Sequence, residues 1–264
     1  MQHSTERILT THCGSLPRPR DLLDLMKARA SGEPVDADTY AARVRRAVAA
    51  IVRQQVESGI DVVTDGEQSK TSFSAYVNER LTGFEPKADT RRTSFVAEIE
   101  AFPEYYEQYF GQRMQGGRVV TVAPVVCTGP ISYRGEEALR RDIENLKAAV
   151  AGVQAEEVFM PAVAPDGVGT NTYYRTEEEY LAAVADALHT EYQAIVDAGF
   201  LVQVDDPFLT ELFSYSPLDA AARRQTAERY VEALNHALRG IQPERVRVPL
   251  GCAEPGRCRC LSPR

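Results

Sequence analysis

The chain contains no tryptophan and only four methionines among its 264 residues. Nowhere does it run through the roughly 20 consecutive apolar residues that span a bilayer. The opening Met1-Gln-His-Ser-Thr-Glu-Arg7 also lacks the apolar core of a secretory signal. A cytoplasmic location with no membrane partner is expected. Cysteine is sparse and odd in number: Cys13, Cys127, Cys252, Cys258 and Cys260. Three of these crowd the end of the chain, which does not suit a disulfide framework, so reduced thiols are expected. Positive charge is in deficit, with 30 Lys and Arg against 38 Asp and Glu for a net charge of −8. Nucleic acid is therefore a poor partner, because it needs clustered cations to displace its counterions. A small-molecule ligand is the better expectation.

What is present is a rhythm. Short apolar runs alternate with long helical patterns, which argues for βαβ units around parallel strands. Six strands are predicted: Ile8–Thr11, Ile60–Thr64, Val119–Val126, Val158–Val163, Leu201–Val204 and Val246–Val248. Helices are predicted from about Ala37 to Ser58, from Thr176 to Ala198 and from Pro217 to Arg239, the first two stopped by Gly59 and Gly199. Thr176-Glu-Glu-Glu179 has the form of a capping box. The stretch from 84 to 117 is too long for a simple connection and carries Tyr105, Tyr106, Tyr109 and Phe110 at short-helix spacing, so it reads as an insertion. From Pro249 onward the Gly, Pro, Arg and Cys content has no periodicity. The expected architecture is α/β, an incomplete (β/α)8 barrel with about six of eight units over residues 1–248, followed by an irregular tail at 249–264.

In a parallel barrel the working residues sit at the C-terminal ends of strands and in the loops that follow. That rule selects Thr11-His-Cys-Gly-Ser-Leu-Pro-Arg-Pro19, Asp65-Gly-Glu-Gln-Ser-Lys70, Cys127-Thr-Gly-Pro130 and Asp205-Asp-Pro207. Each has a plain structural reading beside the functional one. Gly14 and Pro17 suit a tight turn, and Ser15 suits a helix cap. Glu67 lies either at the barrel mouth or solvated on a loop. Asp205 and Asp206, adjacent at the end of an apolar run, point to opposite sides of a strand, so one faces the lumen unless both cap the next helix. Two carboxylates at one mouth suit an ammonium group or a cation. His189 and His236 fall inside helical patterns and read as ordinary helix residues, whereas His12 lies near the predicted mouth.

These four segments, in this order, resemble the catalytic barrel of cobalamin-independent methionine synthase and its single-barrel relatives, which include epoxyalkane:coenzyme M transferases. The resemblance runs from residue 7 to about 248, and its most specific parts are Thr10 to Pro19, Gly59 to Glu67, Thr128 to Pro130 and Val202 to Pro207. It implies zinc-dependent, cobalamin-independent methyl or alkyl transfer to a small thiol such as homocysteine, with methyl-folate as donor in the methionine-forming reaction. The metal keeps the acceptor as a thiolate, which is the nucleophile. Carried over by motif, Ser15 contacts the acceptor's backbone-like end, Glu67 and Asp205 hold its amino group, and His12 is a candidate substrate or metal contact.

The family's zinc ligands include a His-x-Cys pair at the end of strand six, where this chain has Pro249 and Gly251. No confident metal ligand is therefore assigned. Cys252 is a weak candidate, within a possible Cys252, Cys258, Cys260 substitute site. The abrupt change of composition is expected of a shifted reading frame, and the chain is expected to be inactive if its zinc ligands are missing. Open strand edges favour self-association. Two further readings stand beside the transferase: a non-catalytic truncated barrel acting as a binding module, and a decarboxylase resembling uroporphyrinogen decarboxylase, which the Glu67 and Asp205 segments fit less well.

Overall fold

A computed structural model of the chain describes residues 1–87, 96–110, 124–214, 218–250 and 259–260. Helices α1 (Arg20–Ala30) and α2 (Ala37–Glu57) precede strand β1 (Val62–Thr64). Asp36 caps α2 by accepting from the Thr39 amide at 2.8 Å. Next come α3 (Val77–Arg80), β2 (Phe84–Pro86), α4 (Val96–Ala101), α5 (Pro103–Phe110), β3 (Val125–Cys127) and α6 (Glu136–Val150). The chain continues through β4 (Glu157–Val163), β5 (Thr170–Asn171), α7 (Glu177–Asp197), β6 (Leu201–Asp205), α8 (Pro207–Ser214) and α9 (Ala220–Ala237). It ends in the short strands β7 (Val246–Arg247), β8 (Pro249–Leu250) and β9 (Arg259–Cys260). The capping expectation at α7 is met: Thr176 Oγ1 accepts from the Glu179 amide at 3.1 Å.

Strands β1, β4, β6 and β7 form one parallel sheet in that order, and Thr11 joins the far edge of β1 through a single parallel bridge to Val62. The expected first strand, Ile8–Thr11, is thus reduced to a bridge, with Ile8 84% exposed. The expected third strand is corrected more strongly. Residues 119–123 lie outside the described residues, while Val125–Cys127 pairs antiparallel with β2 and parallel with β5 in a separate three-stranded sheet. Its apolar composition signals burial but not a partner. The partner is set by Gly83, where a Cβ would stand 2.6 Å from the Gly129 oxygen, so only glycine lets the two backbones close up. Strand β4 consequently packs directly beside β1, and the parallel arrangement has five members among the described residues rather than six. Residues 249–250, expected to be irregular, pair antiparallel with 259–260.

Strand alternation divides the core. Met160, Ala162, Val202 and Val204 turn toward the helices and pack in the main core with Val184, Leu188 and Ile195 of α7, Val48 and Val52 of α2, and Leu146 of α6. Val62, Phe159 and Leu201 turn the other way into a small separate cluster, against which Met1 packs.

A buried polar network ties the helical layer to the sheet. Arg80 of α3 pairs with Asp142 of α6, and its Nη1 lies 3.1 Å from Glu191 Oε1 of α7. Tyr76 and Tyr133 donate their hydroxyl protons to Glu191 at 2.8 and 2.7 Å, and the Val163 amide donates to Tyr76 Oη at 3.2 Å. Burial alone would raise the Glu191 pKa, but Arg80, Lys70 and the two tyrosine hydroxyls more than offset it and hold the carboxyl below its ordinary range. Replacing Arg80 by leucine leaves two buried carboxylates without their cation. Urea unfolding of Arg80→Leu is expected to show a loss of about 3–5 kcal/mol; a loss under about 1 kcal/mol would mean that the network does not hold these elements together.

Candidate functional site

The site is assembled from two loops and one strand at the C-terminal end of the sheet. After β1, the chain turns sharply at Gly66 (φ 63°) and continues into Glu67 with φ 56°, the one non-glycine residue in the left-handed region among the described residues. That conformation costs a side-chain-bearing residue roughly 1 kcal/mol or more. Glycine is favoured at 66, since a Cβ there would crowd Leu16 Cβ at 3.0 Å in addition to the strain of its own positive φ. The turn is pinned from several directions. Asp65 Oδ1 accepts the Glu67 amide at 2.9 Å, the Lys70 amide donates to the Glu67 carbonyl at 3.1 Å, and Arg18 Nη2 donates to the Glu67 and Lys70 carbonyls at 2.6 and 2.7 Å. The Leu16 amide donates to the Gly66 carbonyl at 3.1 Å, and Gln68 Nε2 donates to the Leu16 carbonyl at 3.1 Å, which locks the loop after residue 11 onto the loop after β1.

These clamps place the Glu67 side chain inside the protein, 1% exposed. Ser15 donates its hydroxyl proton to Glu67 Oε2 at 2.6 Å. Ser15 is therefore no helix cap; α1 begins after Pro19 without a side-chain cap. The other oxygen, Glu67 Oε1, is buried with no hydrogen-bond partner, a state that costs free energy unless a donor arrives.

Across the sheet, β6 presents Gln203 and Asp205 on the same side, two residues apart. Gln203 Nε2 donates to Asp205 Oδ1 at 2.8 Å and lies 4.0 Å from Cys13 Sγ. Burial pushes the Asp205 carboxyl up to about 7, and the nearby charge of Glu67 pushes the same way, against Gln203, Lys70 and Arg247. Lys70 is buried, donates to the Pro161 carbonyl of β4 and lies 4.0 Å from the centre of the Tyr76 ring, which connects the mouth to the Arg80 network. Asp206 faces away from this pocket and caps α8, its Oδ1 accepting from the Leu209 amide at 3.0 Å. The two structural options for the acid pair are thus both used, one by each residue. Asp166, in the turn after β4, is pushed above its ordinary range by burial and by the charge of Asp206.

Ser15, Glu67 and Asp205 are therefore brought to one mouth. His12 is half-buried beside them in sequence, and burial lowers its pKa. Thr128-Gly-Pro130 instead follows β3 in the separate sheet and packs on Gly83. His189 and His236 sit on helices, within 2.9 Å of the Ala237 carbonyl and 2.8 Å of Asp186 respectively. Cys252 and Cys258 lie outside the described residues. Among the described residues no group of three or more His, Cys, Asp or Glu is arranged to hold a metal ion. These residues do not fit zinc. The sequence motifs contain Arg18 and Gln203 but gave them no role, and Arg247 lay outside them. Gln203 had a signal, a polar residue inside an apolar strand at spacing two from Asp205; Arg18 and Arg247 had none, because nothing local marks one arginine for burial and another for the edge of the site.

The family described as the catalytic domain of the cobalamin-independent synthase matches residues 8–176, which carry both loops of this mouth. The chain belongs to that family. Among curated relatives, the methionine synthase of Sulfolobus acidocaldarius is 25% identical over 236 residues, 88% of this chain and 58% of that protein. The methionine synthase of Saccharolobus solfataricus is 26% identical over 246 residues, 90% of this chain and 60% of that protein. The chain thus spans about 60% of the length of these relatives. Among solved structures, a B12-independent methionine synthase from Shewanella sp. W3-18-1 in complex with selenomethionine superposes with a TM-score of 0.62 at 18% identity, over 94% of this chain and 62% of that one. A vitamin-B12 independent methionine synthase from Listeria monocytogenes, itself named as putative, gives 0.62 at 22% identity, over 93% and 66%. These two share the fold. The family is one of enzymes and is named for its independence from cobalamin.

The Asp205 carboxyl has a consequence for stability. Its folded pKa of about 7 exceeds its unfolded value of 3.8, so its contribution is fully present below pH 3.8 and is lost as pH rises through 7. Asp205→Asn removes that loss. Thermal or urea unfolding is expected to show the variant gaining on the wild type by about 2.5 kcal/mol more at pH 8 than at pH 5; a gain independent of pH would contradict the burial of a titrating carboxyl there.

Proposed function

We propose that this mouth binds the amino-acid end of a thiol acceptor such as homocysteine, in a methyl or alkyl transfer of the cobalamin-independent type. The observation that carries the reading is the pair of buried carboxylates, Glu67 and Asp205, with Glu67 Oε1 left without a partner while Ser15 holds Oε2. Two acids forced together in a dry site repel one another, and an ammonium group between them removes the repulsion and supplies the missing donors. Ser15 fixes the carboxylate that faces the ligand. None of these residues is asked to transfer a proton to the reacting centre: the roles are binding and orientation, which place the acceptor's sulfur for attack on a donor.

In this reading zinc is the group that would hold the sulfur as thiolate, and methyl-folate is the donor if methionine is the product. The described residues supply the acceptor's amino-acid pocket and not the metal's ligands, so transfer by this chain depends on ligands from outside them. A simple binding module is the alternative, and it uses the same pocket without turnover.

Isothermal titration calorimetry with L-homocysteine and with its deaminated analogue, 4-mercaptobutanoate, tests the pocket. Glu67→Gln is expected to weaken L-homocysteine by roughly 10- to 100-fold, the worth of a hydrogen bond to a charged group, and to leave the deaminated analogue unchanged. Equal affinity of the wild type for both ligands would contradict an ammonium site.

A further inference from the structure

Nothing in the reading above gives a role to Gln203, although it is 1% exposed and stands on the strand that carries Asp205. A fully buried amide is expected to have both ends paired. Here only one end is. Nε2 donates to Asp205 Oδ1 at 2.8 Å, while Oε1 is buried with no hydrogen-bond partner. Leucine or methionine would fill the volume without leaving an acceptor unpaired, so the amide has to be explained by what it does to its neighbour.

The groups around Asp205 can be taken element by element. From the loop after β1, Glu67 opposes its ionisation and Lys70 favours it. From β7, Arg247 favours it; Arg247 is register partner to Gln203 and places its guanidinium 4.4 Å from the centre of the Phe159 ring. From the loop after residue 11, Cys13 lies 4.0 Å from Gln203 Nε2. On its own strand, Gln203 is the group whose hydrogen bond reaches the carboxylate directly. Lys70 is itself committed to the Pro161 carbonyl and the Tyr76 ring, and Arg247 Nη2 donates to Thr11 Oγ1 at 3.2 Å. Both cations therefore act on Asp205 across space, and neither fixes its rotamer.

We propose that Gln203 is a positioning residue that eases the ionisation of Asp205 and aims its carboxyl into the mouth, so that the group can meet a cationic ligand when it arrives. An N–H donor favours the charged form of the acid it touches and restrains its rotamer at the same time. The unpaired Oε1 lies on the same amide and offers one more acceptor beside the carboxylate. This role deepens the ammonium-site reading and rests on it for the nature of the ligand, but not for the effect on Asp205 itself.

The test separates the two. Aspartate is labelled with carbon-13 at the side-chain carboxyl in the full chain, Asp205 is assigned by its absence in Asp205→Asn, and its titration is followed in the wild type, in Gln203→Met and in Gln203→Glu. The midpoint is expected to rise by about one pH unit in Gln203→Met, a tenfold change in the ionisation constant, and further in Gln203→Glu, which adds a like charge. L-homocysteine titrated into the same samples should bind about tenfold more weakly to Gln203→Met at pH 6.5 and nearly as well as to the wild type at pH 8.5, where Asp205 ionises unaided. An unmoved Asp205 midpoint in both variants overturns the proposal. So does a loss of affinity equal at both pH values, the mark of a merely structural amide. A shifted midpoint with no homocysteine binding by the wild type would keep Gln203 in its role and remove the ammonium ligand.

Discussion

The mouth depends on one constraint: a glutamate held in a left-handed backbone conformation with its carboxylate inside the protein. Glu67 follows Gly66 in a turn where a Cβ would crowd Leu16, and five backbone or side-chain clamps hold it there. Strain of that kind persists only where the surroundings over-determine it. Here the over-determination comes from two loops that belong to different strands, the loop after residue 11 and the loop after β1. Their mutual locking through Leu16, Arg18 and Gln68 brings Ser15 onto Glu67. The second carboxyl arrives independently, from the end of β6, and its pKa is raised first by burial and then by the charge of Glu67.

A dry site that stores repulsion between two acids is expensive for an unliganded protein, and the chain offsets part of it with buried cations. Lys70 is the link. It lies between the mouth and the Arg80–Asp142–Glu191 network and contributes to the electrostatics of both. The helical layer and the loops that carry Ser15 and Glu67 are in this way one electrostatic system, built on α3, α6 and α7 and on β1, β4 and β6.

Much of this was legible in the chain itself. The helical periodicity of 37–58 and 176–198 and the strands at 158–163 and 201–204 come from local pattern, and the structure has α2, α7, β4 and β6 there. The strand-end rule for parallel barrels picked out the segments that hold Ser15, Glu67 and Asp205, because parallel strands present their C-terminal residues together, and the family resemblance gave them roles. The failures are equally physical. Val119–Val126 carries the composition of a buried strand, but composition does not say which sheet buries it, and the Gly83–Gly129 approach that decides the matter is a long-range contact. Ile8–Thr11 has strand propensity and a single bridge. Arg18 is buried for reasons that exist only in three dimensions, since its guanidinium sits where the Glu67 and Lys70 carbonyls converge, and the half-buried Arg247 likewise lies against the Phe159 ring only in the folded chain.

The central claim is that Glu67 and Asp205 form a cradle for the ammonium group of an amino acid. A crystal of the full chain soaked with L-selenomethionine addresses it most directly, because the selenium marks the ligand by its anomalous signal. The account predicts the ligand's nitrogen within about 3 Å of both carboxylates, with Ser15 still on Glu67 Oε2. A ligand whose carboxylate or selenium points at Glu67, with its nitrogen in solvent, would contradict it.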